Sequence, residues 1–157
     1  LVYSNFFMHL FPNFEKNLYI ISNSLKPNGF FISIIPDKEN IYQLVNSMYE
    51  ADLILYKGVH SRFNPTLEIE NILTVLKKLN FNSPTIYSDK ITIEYSSFYK
   101  MLNEIKNMSL SYTYIDKRQK FENKKYFQIL KDIYKKKYFD GNYILDLKIN
   151  IISAWKI

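Results

Sequence analysis

The chain has 157 residues, of which 47% are hydrophobic, 17% aromatic and 23% charged, a composition typical of one folded domain. It contains no cysteine, which excludes disulfides, thiolate nucleophiles, iron–sulfur clusters and thiolate zinc sites. Its three glycines, Gly29, Gly58 and Gly141, lie far apart, so the sequence holds no glycine-rich phosphate loop and no Gly-x-Ser-x-Gly nucleophile turn.

The net charge of +6 comes from 19 lysines and two arginines, Arg62 and Arg118, against 15 acidic residues. Base and phosphate recognition favours clustered arginine, so this charge is weak evidence for nucleic-acid binding. No apolar stretch approaches the length of a membrane-spanning helix. The lack of cysteine fits a reducing compartment, and we expect a cytoplasmic protein without a membrane span.

The first 35 residues predict a strand, a helix and a second strand. Residues 1–4 form a short apolar stretch that predicts the first strand. Four apolar residues at helical spacing then predict the helix: Phe14, Leu18, Ile21 and Leu25. The stretch 26–29, Lys-Pro-Asn-Gly, ends the helix, since proline cannot continue it and Asn-Gly tolerates positive φ. The apolar run 30–35 is typical of a strand covered on both faces, which gives one βαβ unit.

The middle of the chain predicts two helices separated by a loop. Apolar residues at helical spacing predict the first helix over 41–52, and residues 56–64 lack periodicity. Proline at position 65 and Glu68 are typical of a first helical turn. We therefore expect the second helix to begin at 64–65 and to end near its two lysines, Lys77 and Lys78.

The last part of the chain predicts a strand, two helices and a long closing strand, with no internal repeat and no linker. The limits of these elements, in chain order, are 85–95, 98–108, 121–137 and 145–155. Strict alternation in the closing strand predicts Leu145, Leu147, Ile149 and Ile151 on its buried face. We expect Trp155 to pack within the same strand.

Several segments resemble the second half of a class I S-adenosylmethionine-dependent methyltransferase domain, from its fourth to its seventh strand. Segment 1–14 resembles the fourth-strand segment of the branch that holds the biotin-synthesis methyltransferase and the mitochondrial complex I assembly factor. Ser-Leu-Lys-Pro-Asn-Gly-Phe-Phe at 24–31 resembles the signature leading into the fifth strand. Gly-Val-His-Ser-Arg-Phe-Asn-Pro at 58–65 and the closing segment 151–156 are similar to segments of the complex I assembly branch.

The resemblance implies an α/β fold over 1–157: a single partial domain with part of a doubly wound, Rossmann-like sheet and flanking helices. The sequence also departs from the family. Leu10 stands where the family usually has Trp, and Asn13 where Asp is common. The family's glycine-rich loop and the acidic residue after its second strand have no counterpart. We therefore expect the N-terminal, cofactor-binding half to be missing and the chain to be inactive alone.

The resemblance also implies the candidate site residues. Ser4, Asn5 and His9 would line the crevice for S-adenosylmethionine, at the carboxyl end of the first strand. The alternative is structural: Asn5 caps a turn and His9 is a hydrogen-bonded core histidine. His60 and Arg62 would lie near the substrate entrance, with an ordinary solvated loop as the alternative. No catalytic residue can be named, and nothing in the spacing of the two histidines supports a metal site.

The family's strand order would leave strand 1–4 at an open sheet edge, which favours pairing with another chain. We expect either a partner that supplies the missing N-terminal half or self-association through this edge. Three functions follow: part of a methyltransferase-like enzyme, which by resemblance transfers methyl groups or hydroxylates an arginine; a non-catalytic interaction protein or remnant; and a basic RNA-associated protein. The last would use the lysine-rich segment 117–137, whose aromatic residues at helical spacing instead indicate core positions.

Overall fold

The computed structural model describes residues 1–108, 110 and 121–157. The chain divides into two compact units. Unit 1 consists of Leu1–Lys38, Pro65–Lys90 and Lys148–Ile157, and unit 2 of Glu39–Asn64 and Ile91–Leu147. Part of the lysine-rich segment, 117–120, lies outside the described residues.

The described residues form strands, α-helices and one short 3₁₀ helix. The strands are β1 (Val2–Asn5), β2 (Phe30–Pro36), β3 (Phe81–Tyr95), β4 (Phe139–Asp140) and β5 (Asn142–Lys156). The helices are α1 (Phe14–Ser24), α2 (Tyr42–Tyr56), α3 (Ile69–Lys78), α4 (Phe98–Asn107) and α5 (Lys124–Tyr138), and the 3₁₀ helix is Met8–Leu10.

The strands form one sheet in the order β1-β2-β5-β3, with β4 paired to the start of β5. β1 and β2 are parallel, with Val2 opposite Phe31. β2 and β5 are antiparallel, with Phe30 opposite Trp155. The predicted fold class is confirmed: this is a mixed α/β architecture whose four main strands lie side by side, with β1 at one end.

The core of unit 1 forms where the apolar stripes of α1 and α3 pack with β2 and the end of β5. α1 begins at Phe14, the first residue of the predicted apolar stripe, and the Asn13 side chain accepts a hydrogen bond of 2.8 Å from the Lys16 N–H. Such a cap satisfies a backbone donor that the helix leaves unpaired. The buried cluster contains Met8, Phe14, Leu18, Leu25, Phe31, Ile35, Ile72, Val75, Leu76, Phe81, Ile152 and Ala154.

The Asn-Gly turn before β2 uses its two residues differently. Asn28 takes the positive φ, at 62°. Gly29 is needed for space, because a Cβ atom there would lie 2.7 Å from the Lys26 carbonyl oxygen. That close approach accompanies two backbone hydrogen bonds of 2.8 Å, from the Gly29 N–H to Lys26 and from the Lys156 N–H to Gly29. The turn therefore sets the position at which β2 pairs with β5.

The core of unit 2 is rich in aromatic rings. α2 packs on α5, and the Phe98 ring lies 5.6 Å from both the Tyr134 and the Tyr143 rings, measured between centroids. Tyr134 is buried and donates a hydrogen bond of 2.6 Å to the Ile144 carbonyl. Burial raises the pKa of Tyr134 above its ordinary value, so this hydroxyl stays protonated and keeps its donor at neutral pH.

The predicted start of the helix at 64–65 is wrong. α3 begins at Ile69, and Glu68 has an extended backbone with φ −71° and ψ 129° instead of lying in the first turn. Leu67 packs against the core cluster of unit 1. We attribute the late start to this contact, since burial of an apolar side chain outweighs a weak local propensity for helix. The predicted C-terminal lysines are confirmed in the last turn.

The predicted alternation of β5 is confirmed at Leu145, Leu147 and Ile149, which are buried, but it is wrong at other positions. Asp146 and Asn150, expected on a polar face, are buried, and Ile152 replaces Ile151 as the buried position. β5 lies between β2 and β3, and both faces of a central strand are commonly covered. Trp155, expected to pack in the strand, is 51% exposed, although its ring lies 4.5 Å from the Phe30 ring.

We predict that Gly29→Ala destabilises the chain by about 1–3 kcal/mol, because the new methyl group must displace a backbone carbonyl. Gly58→Ala is the matched control, since its nearest neighbour would be the Tyr56 carbonyl at 4.0 Å, and it should change stability by about 0.5 kcal/mol or less. Urea unfolding followed by circular dichroism measures both changes. Equal effects of the two substitutions would contradict the close-approach argument.

Candidate functional site

The first candidate site lies in unit 1, where the parallel strands β1 and β2 end. Their carboxyl ends meet at the same edge of the sheet, the place where open α/β sheets bind ligands. The chain turns sharply there: Phe6 has a positive φ of 48°, and its N–H donates a hydrogen bond of 2.9 Å to the Ile34 carbonyl. A non-glycine residue in this region of φ is uncommon and often marks a functional turn.

Ser4 and Asn5 both lie at this end of β1. Ser4 is only 9% exposed, and it pairs in register with Ser33 of β2, which is 1% exposed. Neither hydroxyl has a hydrogen-bond partner among the described residues. A buried hydroxyl without a partner costs stability, so the pair is suited to a polar ligand group or water. Asn5 is exposed.

His9 lies in the 3₁₀ helix that follows β1. It is 5% exposed, and its ring packs edge-to-face on Phe6 at 6.1 Å between centroids. Burial of this kind is what the structural interpretation of His9 predicts. Its contact with a cofactor stays a prediction.

A fixed carboxylate next to this edge was missed from the sequence. Asp37 directly follows β2, and its Oδ2 accepts a hydrogen bond of 2.9 Å from the Asn150 side chain. The Ser88 hydroxyl donates a bond of 2.6 Å to Asn150 Oδ1, which orients the amide. A buried amide with both ends satisfied holds its partner rigidly. The sequence carries no signal for this contact, because Asn150 falls on the polar positions of an alternating strand and lies 113 residues from Asp37.

The second candidate site lies in unit 2 and contains the loop residues His60 and Arg62. Arg62 forms an ion pair with Asp52 of α2 and donates a hydrogen bond of 2.8 Å to Glu122 Oε1. Its guanidinium carbon lies 4.5 Å from the centre of the Tyr126 ring. The side chain is 16% exposed. Arg62 is therefore not the solvated charge of the alternative interpretation, and its contact with a substrate stays a prediction.

The carboxylates of Asp52 and Glu122 also accept hydrogen bonds from groups other than Arg62. Asp52, whose side chain is fully buried, accepts a hydrogen bond of 3.0 Å from the His60 N–H through its second oxygen. Glu122 accepts one of 2.5 Å from the Tyr56 hydroxyl. The His60 ring lies 5.5 Å from the Tyr56 ring. Asp52 thus fixes both predicted loop residues, His60 through its backbone and Arg62 through its side chain.

Arg62 and Tyr126 of this second site keep their protonation states at neutral pH. Burial by itself lowers the pKa of Arg62, but hydrogen bonds to Asp52 and Glu122 outweigh it and raise the pKa above the ordinary value. Burial raises the pKa of Tyr126, an effect that the nearby Arg62 opposes. Arg62 therefore stays cationic and Tyr126 stays neutral across the physiological range.

Three further findings concern metal ligands, membrane-spanning helices and the lysine-rich segment of the described residues. They contain no group of three or more His, Asp or Glu side chains that could hold a metal ion. Across the same part of the chain, no helix combines the length and apolarity needed to cross a bilayer. Tyr126 and Tyr134, two aromatic residues of the lysine-rich segment, are buried, as the core interpretation of that segment predicts.

The chain is similar to known proteins over most of its length. It is 27% identical to "Arginine-hydroxylase NDUFAF5, mitochondrial" of Dictyostelium discoideum over 138 residues, which cover 88% of this chain and 31% of that protein. A candidate methyltransferase of Bacillus halodurans C-125 matches 99% of this chain and 63% of its own, with a TM-score of 0.56 and 16% identity. The YcgJ protein of Bacillus subtilis matches 98% of this chain over 62% of its own length, with a TM-score of 0.53 and 10% identity. No family model matches.

These matches confirm the resemblance to part of a class I methyltransferase domain. The two solved structures are less than 20% identical to the chain, so they show the fold. The chain spans about a third of the length of the Dictyostelium relative.

We predict that Asp52→Asn lowers the free energy of unfolding by about 1–3 kcal/mol, because it removes a buried carboxylate that accepts hydrogen bonds from Arg62 and His60, while Arg62 keeps its ion pair with Glu122. Glu50→Gln is the control, since Glu50 pairs with Lys137 and both side chains are about 40% exposed; exposed pairs contribute little. Urea unfolding at low and high salt measures both. A small effect of Asp52→Asn would contradict the role given to the pair.

Proposed function

We propose that this chain is the C-terminal part of a methyltransferase-like domain that binds S-adenosylmethionine, and that a complete cofactor site needs an N-terminal part. The observation that carries the proposal is the buried Ser4 hydroxyl, which lacks a partner among the described residues and lies at the carboxyl end of a parallel strand. The similarity to the Dictyostelium relative along most of the chain supports it.

The residues at the end of β1 fit a polar ligand. The Ser4 hydroxyl can donate or accept a hydrogen bond, and the exposed Asn5 side chain offers both donors and an acceptor. We propose that these two residues hold part of the cofactor, with His9 packed behind the Phe6 turn. When bound, S-adenosylmethionine would supply an electrophilic methyl group, and the main contribution of these residues would be to orient it.

The reaction and the compartment belong to the same proposal. The relative's name describes arginine hydroxylation in mitochondria, whereas the two solved structures point only to the methyltransferase fold. Methyl transfer and hydroxylation are therefore both retained, with His60 and Arg62 as the proposed substrate-side residues. The cysteine-free composition fits the cytoplasm, and we keep this compartment as an expectation.

We predict that calorimetric titration with S-adenosylhomocysteine shows no micromolar binding to the folded chain alone. Binding should appear when the chain is joined to the N-terminal part of the Dictyostelium relative, and Ser4→Ala should weaken it at least several-fold through loss of a buried hydrogen bond. The control is Tyr19→Ala, a change at an exposed position of α1. Micromolar binding by the chain alone would contradict the need for an N-terminal part, and failure of a folded joined protein to bind would contradict the cofactor.

A second function, an interaction protein, is favoured by the open edge of β1. Among the described residues β1 pairs only with β2, and Leu1, Tyr3 and Phe7 are exposed. The Phe6 N–H donates a hydrogen bond to the Ile34 carbonyl of β2. The backbone N–H groups of successive residues in a strand point alternately to its two sides. The Tyr3 N–H therefore faces the open edge, where it can pair with a partner chain or with a second copy.

We predict that the chain self-associates and that Tyr3→Pro prevents this, because proline removes the outward N–H while an edge strand tolerates it. Tyr3→Ala is the matched control: it removes the exposed ring but keeps the donor, and the protein should remain associated. Light scattering over a range of protein concentrations measures the mass. A monomeric unmodified chain, or equal masses for the two variants, would exclude pairing through this edge.

A further inference from the structure

The sheet of unit 1 is covered by helices on one face. The apolar stripes of α1 and α3 pack on that face, where the buried cluster includes four residues of β2 and β5: Phe31, Ile35, Ile152 and Ala154. Val2 of β1 packs against the same cluster. Successive side chains of a strand point to opposite faces of the sheet, so the residues next to these five in each strand lie on the other face.

The pairing of β1, β2 and β5 brings the residues of the other face together. In register, Tyr3 lies opposite Ile32, and Ile32 lies opposite Ser153. In the same way Phe30 lies opposite Trp155. We call this surface the open face; its residues are Tyr3, Asn5, Phe30, Ile32, Ile34, Ile151, Ser153 and Trp155. None of these side chains is charged, although the chain carries a net charge of +6.

The open face exposes large apolar side chains. Tyr3 is 58% exposed and Trp155 is 51% exposed, whereas Phe31 and Ile35 on the covered face are fully buried. The aliphatic and aromatic residues between Tyr3 and Trp155 are half-buried: Phe30, Ile32, Ile34 and Ile151. A contiguous apolar patch on a folded chain is typical of an interaction site.

The sequence of β2 indicates what kind of element covers the open face. Its run Phe-Phe-Ile-Ser-Ile-Ile at 30–35 places apolar residues on both faces, whereas a strand with one face in water alternates apolar and polar residues. β1 and β2 are parallel, and parallel strands pack against helices on both faces. A surface that is apolar and without charge fits the apolar stripe of an amphipathic helix.

The chain spans only part of its relatives, which leaves further polypeptide that can supply such a helix. The Dictyostelium relative matches this chain over 31% of its own length, and the Bacillus halodurans structure over 63%. The open face also continues into the open edge of β1, because Tyr3 belongs to both. A segment that reaches this edge can therefore cover the face as well.

We propose that the open face docks an amphipathic helix from the N-terminal part of the domain, and that the apolar stripe of this helix packs on Ile32, Ile34 and Trp155. The inference rests on the proposed function for the source of the helix, but it requires no bound cofactor. Docking would bury Tyr3 and Trp155, which the chain alone leaves exposed.

Trp155 reports on docking, because it is the only tryptophan of the chain. The chain is labelled with fluorotryptophan, alone and joined to the N-terminal part of the Dictyostelium relative, and the Trp155 fluorine resonance is identified by its loss in Trp155→Phe. Its frequency change between light and heavy water measures the exposure of the ring. This change should be large in the chain alone and should vanish in the joined protein. Equal exposure in both, or a ring already shielded in the chain alone by a second copy, would overturn the proposal.

The matched variants are Tyr3→Lys and Tyr19→Lys, since the two rings are 58% and 57% exposed. Tyr3→Lys places a charge on the open face and keeps the backbone N–H of the strand edge, whereas Tyr19 lies on α1. In the chain alone the two variants should melt at similar temperatures. In the joined protein Tyr3→Lys should melt about 4–8 °C below Tyr19→Lys, because a buried charge without a partner is costly. Equal melting temperatures of the joined variants would contradict docking.

Titration of the joined protein with S-adenosylhomocysteine separates this inference from the proposed function. A shielded Trp155 without binding would support docking and contradict the cofactor, whereas binding with an exposed Trp155 would do the reverse. If the joined protein does not fold, the two parts are produced together as separate chains and the same fluorine resonance is measured. Failure of the two chains to associate would overturn the proposal.

Discussion

The parallel pairing of β1 with β2 creates the sheet edge at which the proposed ligand site of unit 1 lies. It brings the carboxyl ends of two strands to one edge, so that the turn at Phe6 and the carboxylate of Asp37 follow neighbouring strands. The register of this pairing also places Ser4 beside Ser33. Two hydroxyls enclosed together without protein partners among the described residues are tolerated only if something polar satisfies them. The same pairing leaves the other edge of β1 open.

The two candidate sites differ in the groups that contact their carboxylates. At the end of β1 the polar groups are neutral hydroxyls and an amide, and the Asp37 carboxylate at the same edge accepts a hydrogen bond from the neutral Asn150 amide. Around Arg62 two carboxylates, those of Asp52 and Glu122, pair with one guanidinium, so that the three groups together carry one net negative charge. Burial makes such an arrangement costly unless every charge is paired. This explains why the two predicted substrate residues differ in character: His60 is held through its backbone, whereas Arg62 is held through its charge.

Local patterns predicted the elements that depend on local physics. α1 was predictable from its apolar stripe and from Asn13, which caps it within three residues. The start of α3 was not, because the packing of Leu67 on the core overrides the helix signal of proline at 65. The burial of Asn150 was not predictable either, since its partner Asp37 lies 113 residues away in the sequence. Arg62 was identified through a resemblance. Its pairing with Glu122 was not predictable, because the two residues lie 60 positions apart in the sequence.

The absence of a glycine-rich loop and the open edge of β1 have one physical consequence in common. A ligand held only at the end of β1 would contact two small polar side chains, and a few hydrogen bonds exchanged with water contribute little net affinity. Under the proposed function, the enclosure needed for tight binding would come from atoms beyond this edge. A strand that pairs with β1 would supply those atoms at the place where the backbone donors of β1 are available. Ligand binding and edge pairing are therefore expected to be coupled, with each increasing the other to the same extent.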